Sequence, residues 1–182
     1  MPAAISVIIP VGNAARSLPG CCAALMEGLE EGLLRELLVA DMGSEDDSLR
    51  IADAMGGEAV RGPQALGDAV AQAKGQWLLL LRPETRLARG WTVPVADHLS
   101  AGQRPAHFRI VHDAPGLGVR LSASLTNLRS GLTGRAVPLQ GLLAPRRVVE
   151  KAGVPGGRDP MAGLFRRVTG VGSLPAEIRV TG

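Results

Sequence analysis

The order of this chain predicts an α/β fold, a mostly parallel sheet with helices on both faces. Three observations carry that reading. The runs ISVIIP (Ile5–Pro10), LLVA (Leu37–Ala40) and WLLLL (Trp77–Leu81) have the continuous apolar character of strands buried on both sides. Longer segments with helical spacing, several closed by glycine, lie between them. Each run also stops at polar or charged residues, as strands do where a parallel sheet opens toward a ligand.

Taken in order, Ile5–Pro10 is the first strand, and Asn13 is placed to cap a helix over Ala14–Leu29. The second strand ends at Asp41. The polar turn DMGSEDDS, Asp41–Ser48, leads to a helix over Leu49–Met55 closed by Gly56-Gly57. Asp46 and Asp47 suit the positive end of that helix dipole. Glu58–Arg61 reads as a short strand, and Ala65–Lys74 as an alanine-rich helix stopped at Gly75. The alternation β-α-β-α-β-α-β argues for a parallel, doubly wound sheet. The strand ends Pro10–Asn13, Asp41–Ser44 and Arg82–Glu84 should then share one rim. Beyond Gly90 the expected elements are a helix over Trp91–Leu99, a strand over Ala106–Val111, an amphipathic basic helix over Val119–Leu132, and a short helix over Arg147–Ala152. No repeat or low-complexity linker interrupts the chain, so a single domain is expected.

Composition narrows the function classes. A 182-residue chain with 46% hydrophobic residues can bury a core and is not disordered. With 2% aromatics and no Tyr, that core must be built from Leu, Val, Ala and Ile. No apolar run approaches the roughly 20 residues that span a bilayer. No basic segment precedes Ala3–Pro10, so a cytoplasmic setting is expected. Cys21 and Cys22 are sequence neighbours with no other cysteine to pair with, and read as small buried hydrophobes in a reducing compartment. His98, His107 and His112 are scattered, with no carboxylate cluster to make a zinc site. Charge is asymmetric. Residues 1–100 carry 8 Lys+Arg against 13 Asp+Glu, net −5; residues 101–182 carry 12 against 4, net +8. A basic second half suggests an anionic partner, and the stretch Arg120–Arg135 could face an anionic phospholipid or a polyprenyl phosphate at the inner membrane face. No helix-turn-helix or aromatic-studded basic strand supports nucleic acid.

Four segments in order, ISVIIPVGN, LLVADMGSEDDS, AVAQAKGQWLLLLRPETRLARGW and LQGLLAPRRVVEKAG, resemble the family 2 glycosyltransferases of GT-A fold. The resemblance runs from Ile5 to about Arg167. It is closest to a compact bacterial subgroup in which the second strand ends in Asp-Gly-Gly-Ser and the metal strand in His-Ala-Asp-Thr-Arg-Leu. It implies transfer of a sugar from a nucleotide-sugar donor to an acceptor, with residues 1–90 binding the nucleotide and 91–182 forming the acceptor side. It also implies a divalent cation, Mg²⁺ or Mn²⁺, on an acidic motif after the fourth strand, where hard carboxylates and diphosphate oxygens suit such an ion. Pro10, Val11 and Asn13 match the first donor-binding motif, with Gly12 where an aromatic is usual. Asp41, Gly43 and Ser44 match the second, Met42 standing where many members have Asp, and Asp46 matches the acid beyond it. Arg61-Gly62 resembles the stretch before the third helix, and Gly67 replaces an Asn. Leu139-Gln140-Gly141 replaces Asp-Gln-Gly. Arg158-Asp159 and Met161-Ala162 both align with the Glu-Asp where the resemblance implies a catalytic base, and of these only Asp159 keeps a carboxylate.

The metal motif itself is altered. Arg82-Pro83-Glu84 stands in place of His-Ala-Asp. Glu84 can be the one remaining metal ligand. Alternatively Arg82 or Arg86 supplies the positive charge in place of the metal, since a guanidinium can grip a diphosphate bidentately. Or the corner is a turn in a catalytically inactive relative that binds a nucleotide sugar or acts as a scaffold.

Overall fold

The computed structural model describes residues 4–102, 104–112 and 117–180. In chain order the elements are β1 (Ile5–Val11), α1 (Leu18–Glu30), β2 (Leu34–Asp41), α2 (Ser48–Ala54), β3 (Glu58–Arg61), α3 (Ala65–Gln72), β4 (Trp77–Leu80), β5 (Thr85–Leu87), α4 (Thr92–Ala101), β6 (Ala106–His112), α5 (Leu117–Thr133), β7 (Leu142–Pro145), α6 (Arg146–Ala152), α7 (Pro160–Arg167) and β8 (Gly172–Val180). They build one eight-stranded sheet of order β3-β2-β1-β4-β7-β6-β8-β5. The β3-β2-β1-β4 half is wholly parallel. Beyond β4, strands β7 and β5 run antiparallel to their neighbours.

Period-two alternation decides which helices cover which face. From β1, Ile5, Val7, Ile9 and Val11 point toward Leu18, Cys21, Cys22 and Leu25 of α1, Ala52 of α2 and Val95 of α4. Ile8 of the same strand points the other way, toward α3, α6 and α7 through Leu66, Val149 and Leu164. The result is a sheet sandwiched between two helical layers, which explains why its strands read as unbroken apolar runs.

Two elements differ from the sequence expectation. The first helix begins at Leu18, not at Ala14, with Ser17 at its N-cap position. Asn13 caps nothing there. It sits at φ 60, a left-handed conformation that Asn tolerates, and its side chain bonds across to the next strand-end loop. The segment after Arg82 also does not stay a loop. Thr85 N and Oγ1 both donate to the Arg82 carbonyl, at 3.0 and 2.6 Å, closing a turn with Pro83 at its second position. The chain then re-enters the sheet as β5 on the far edge, paired with β8. Strands β7 and β8 lie outside the elements expected from the sequence. The Asp159-Pro160 pair ahead of an apolar run is an N-cap followed by proline at N1, a signal that marks α7.

Gly28 of α1 is where the Trp91 indole docks, and Trp91 Nε1 donates to the Ala24 carbonyl at 3.0 Å. A Cβ at Gly28 would lie 2.5 Å from the indole ring. Gly28→Ala is therefore expected to destabilise the fold by about 1–3 kcal/mol, read as a lower urea midpoint. An unchanged midpoint would mean that the indole can move without loss.

Candidate functional site

The carboxyl ends of β1, β2 and β4 come together, as their polar termini predict. Val11, Asp41 and Arg61 stand side by side at the ends of three adjacent strands, through the registers Val11↔Asp41 and Asp41↔Arg61. The loops beyond them are laced together. Asn13 N donates to Ser44 Oγ at 3.1 Å, and Glu45 N donates to Asn13 Oδ1 at 2.9 Å. Ala15 N donates to Asp46 Oδ2 at 2.9 Å, and Ala14 N to Ser48 Oγ at 2.8 Å. Hydrogen bonds from Ser48 and the Ala15 N–H hold the Asp46 carboxyl below the usual carboxylate range. Asp41 is buried, and its Oδ1 accepts from Ser44 N at 2.8 Å, which fixes the turn through Gly43. Gly43 and Gly62 have φ of 108 and 126, conformations that an L side chain rarely adopts, so these two turns require glycine. Val11 lies in the core beneath the rim, its carbonyl taken by the Met42 N–H.

Beside this rim is a cleft of about 160 Å³ lined by Pro10, Gly12, Ala14, Met42, Arg82, Pro83, Glu84, Asp159, Pro160 and Met161. It joins two of the strand ends (β1 and β4), the β2 loop and the start of α7. Pro10, Arg82, Glu84 and Asp159 thus meet, although Arg82 and Asp159 are 77 residues apart. Asn13, Asp41, Gly43, Ser44, Arg61 and Gly62 do not line the cleft. A neighbouring depression, lined in part by Pro63, Gln64, Gly67 and Val154, shares Pro160 with it.

Arg82 and Asp159 form an ion pair across the cleft through Nη2 and Oδ2. Asp159 Oδ1 meanwhile accepts from Ala162 N at 2.9 Å and caps α7. Burial acts to raise the Asp159 pKa, but the Ala162 N–H, the Arg82 hydrogen bond and charge, and Arg166 outweigh it and hold the carboxyl below its ordinary value. This has a pH consequence. A depressed acid stabilises the fold above the unfolded aspartate pKa, about 3.9, and loses that contribution as pH falls through its lower folded value. The urea midpoint of the protein should therefore exceed that of Asp159→Asn at neutral pH, and the gap should close on acidification below about pH 4. A gap that persists in acid would mean that the charge is not its source.

Arg86 does not join the cleft. It projects from β5 toward α1, where a Cβ on Gly20 would fall 2.3 Å from its Nε. Beneath the corner, Cys21 Sγ lies 3.6 Å from the Arg82 carbonyl. Both cysteines are buried and unpaired, as expected. Burial raises the pKa of both thiols, to about 11 for Cys22, so neither is a thiolate near neutrality.

The donors present do not fit a divalent cation. Among the described residues no group of three or more His, Cys, Asp or Glu side chains is placed to hold a metal. Of the two carboxylates lining the cleft, Asp159 is committed to Arg82 and to its helix cap. Glu84, the other, lines the cleft beside a guanidinium that repels a second cation. What the cleft offers instead is a rigidly seated guanidinium, suited to an anion with paired oxygens.

Among solved structures, the chain is similar to TarS from S. aureus, with a TM-score of 0.70 at 14% identity over 98% of this chain and 37% of that one. It is also similar to glucosyl-3-phosphoglycerate synthase from Mycobacterium tuberculosis, crystallised with Mn²⁺, uridine diphosphate and glucosyl-3-phosphoglycerate, with a TM-score of 0.63 at 20% identity over 97% of this chain and 70% of that one. No family model matches the sequence. No curated protein matches it either. At these identities the likeness is one of fold, and the fold is GT-A-like.

Proposed function

We propose that this chain binds a nucleotide-sugar donor at the rim formed by β1, β2 and β4 and acts as a glycosyltransferase-like protein. The observation that carries the reading is the meeting of Pro10, Arg82 and Asp159 in one cleft beside the aligned Val11, Asp41 and Arg61 ends, within a GT-A-like fold. In this reading Asp41, Asn13 and the Gly43-Ser44 turn hold the nucleoside, with Pro10, Val11 and Arg61-Gly62 shaping its seat. Arg82 takes the diphosphate and offsets the charge that gathers on it as it leaves, the task a metal would otherwise perform. Asp159, freed from Arg82 when the diphosphate arrives, is the carboxylate positioned to accept a proton from an acceptor hydroxyl.

The second reading is a relative that binds the donor without transfer. The double engagement of Asp159, by Arg82 and by the Ala162 N–H, favours it, because a carboxylate tied up twice is a poor base.

Calorimetric titration with UDP, GDP and dTDP, each with and without Mn²⁺, tests the proposal. Binding of one nucleotide with the same affinity in both conditions is expected. Strict dependence on Mn²⁺ would overturn Arg82 as the counter-charge and return Glu84 to the role of metal ligand. Failure of all three, extended to CDP and ADP, would overturn donor binding itself. Donor hydrolysis or transfer assayed on the binding nucleotide then separates the two readings.

A further inference from the structure

Over its last turns helix α5 is built inside out. The side chains of Asn127 and Ser130, which it turns toward the fold there, are polar. Asn127 Oδ1 accepts from Ile110 N, and Asn127 Nδ2 donates to the Ile110 carbonyl, both at 3.0 Å. The carboxamide thus takes the place of a strand neighbour on β6, whose register with β7 is confined to Ala106↔Leu143. Ser130, 2% exposed, donates to Gln140 Oε1 at 2.7 Å. On the opposite side Leu125, Leu128 and Leu132 are 61%, 61% and 79% exposed. Their spacing of three and four residues stacks them into one stripe along the helix. An amphipathic helix that lies on its own fold would turn those leucines inward; here Asn127 and Ser130 bond to the fold and the leucine stripe faces outward.

Charge identifies the occupant. Arg129, within the stripe, and Arg135, just after the helix, are exposed. From residue 114 to residue 149 the sequence has no Asp or Glu and five arginines. A leucine stripe bordered by Arg129 and Arg135, in a stretch of sequence without acidic residues, complements a surface that is apolar within and anionic at its face. We propose that α5 lies in the interface of an anionic phospholipid bilayer, its leucines among the acyl chains and its arginines at the headgroups. This goes beyond the donor site and does not depend on it.

Vesicle flotation of the full chain tests the proposal, with phosphatidylcholine alone against equal parts phosphatidylcholine and phosphatidylglycerol. Flotation with the anionic vesicles only, weakened by added salt, is expected. The triple substitution Leu125→Gln, Leu128→Gln, Leu132→Gln should lower partitioning by roughly 100-fold while leaving the circular dichroism spectrum unchanged, because these side chains are exposed. Arg129→Gln with Arg135→Gln should lower it by about 30-fold, and decides the matter if the leucine variant fails to fold. Equal flotation with neutral vesicles, or full binding by either variant, overturns the proposal. So does a protein that ignores vesicles and sediments as a dimer that the leucine substitutions dissociate, since the stripe would then be covered by a second copy of the chain.

Discussion

Arg82→Gln is expected to weaken nucleoside-diphosphate binding by about 10- to 100-fold, the range spanned by the net worth of one charge-assisted hydrogen-bonded contact. Within the fold the change should be confined to the lost ion pair with Asp159. Arg82 is held by its backbone through Thr85 and Cys21, and its head group meets the fold at Asp159, so the loss should appear as affinity more than as stability. Two comparisons sharpen the result. Arg86→Gln should leave affinity unchanged, because Arg86 rests on Gly20 of α1 outside the cleft. Asp159→Asn should bind the nucleotide more tightly, because the carboxylate competes with the diphosphate for one guanidinium, while asparagine keeps the α7 cap. If Asp159 is also the base, the same variant binds better and transfers nothing. Calorimetry on the three variants gives the answer, and equal affinities for all three would remove Arg82 from the donor site.

The largest expected effect on stability is at Gln140. This residue is fully buried, and it accepts from Ser130 Oγ at 2.7 Å and Val137 N at 3.0 Å while donating to Asn127 Oδ1 at 3.2 Å. It ties α5 to the turn before β7. Gln140→Leu keeps the volume, leaves the buried Ser130 hydroxyl and the part-buried Val137 N–H without their acceptor, and removes one of the two hydrogen bonds to Asn127 Oδ1, a loss of about 2–4 kcal/mol. Because the network joins Asn127 and Ser130 of α5 to Gln140 and Ile110, amide exchange should quicken first in α5 and the end of β6. Uniform exchange across the sheet would show instead that α5 is held by contacts other than these.

Most of the first 80 residues was legible from the chain. Strands buried on both faces read as apolar runs, and β1, β2 and β4 appear within a few residues of their expected bounds. The rim was legible for the same reason, since a parallel sheet must place the ends of its strands together. The second half was harder. β8 carries polar residues among its apolar ones, with a proline at position 175, and β7 is four residues inside the segment LQGLLAPRRVVEKAG, too short for a pattern of its own. Asn13 was misjudged because capping propensity is shared by N-caps and left-handed turns, and only its bonds with Ser44 and Glu45 tell them apart.

By itself the sequence determined the α/β class, the strand-end placement of Pro10, Asp41 and Arg82, and the charge asymmetry, because periodicity, strand burial and composition are local properties. The tertiary structure decided the rest. It paired Arg82 with Asp159 across 77 residues, set Arg86 aside on Gly20, and turned Leu125, Leu128 and Leu132 of α5 outward. Hydrophobic spacing specifies that a helix has two faces, but which face is attached depends on what the fold presents to it, and here β6 presents an open backbone that only a polar side chain can satisfy.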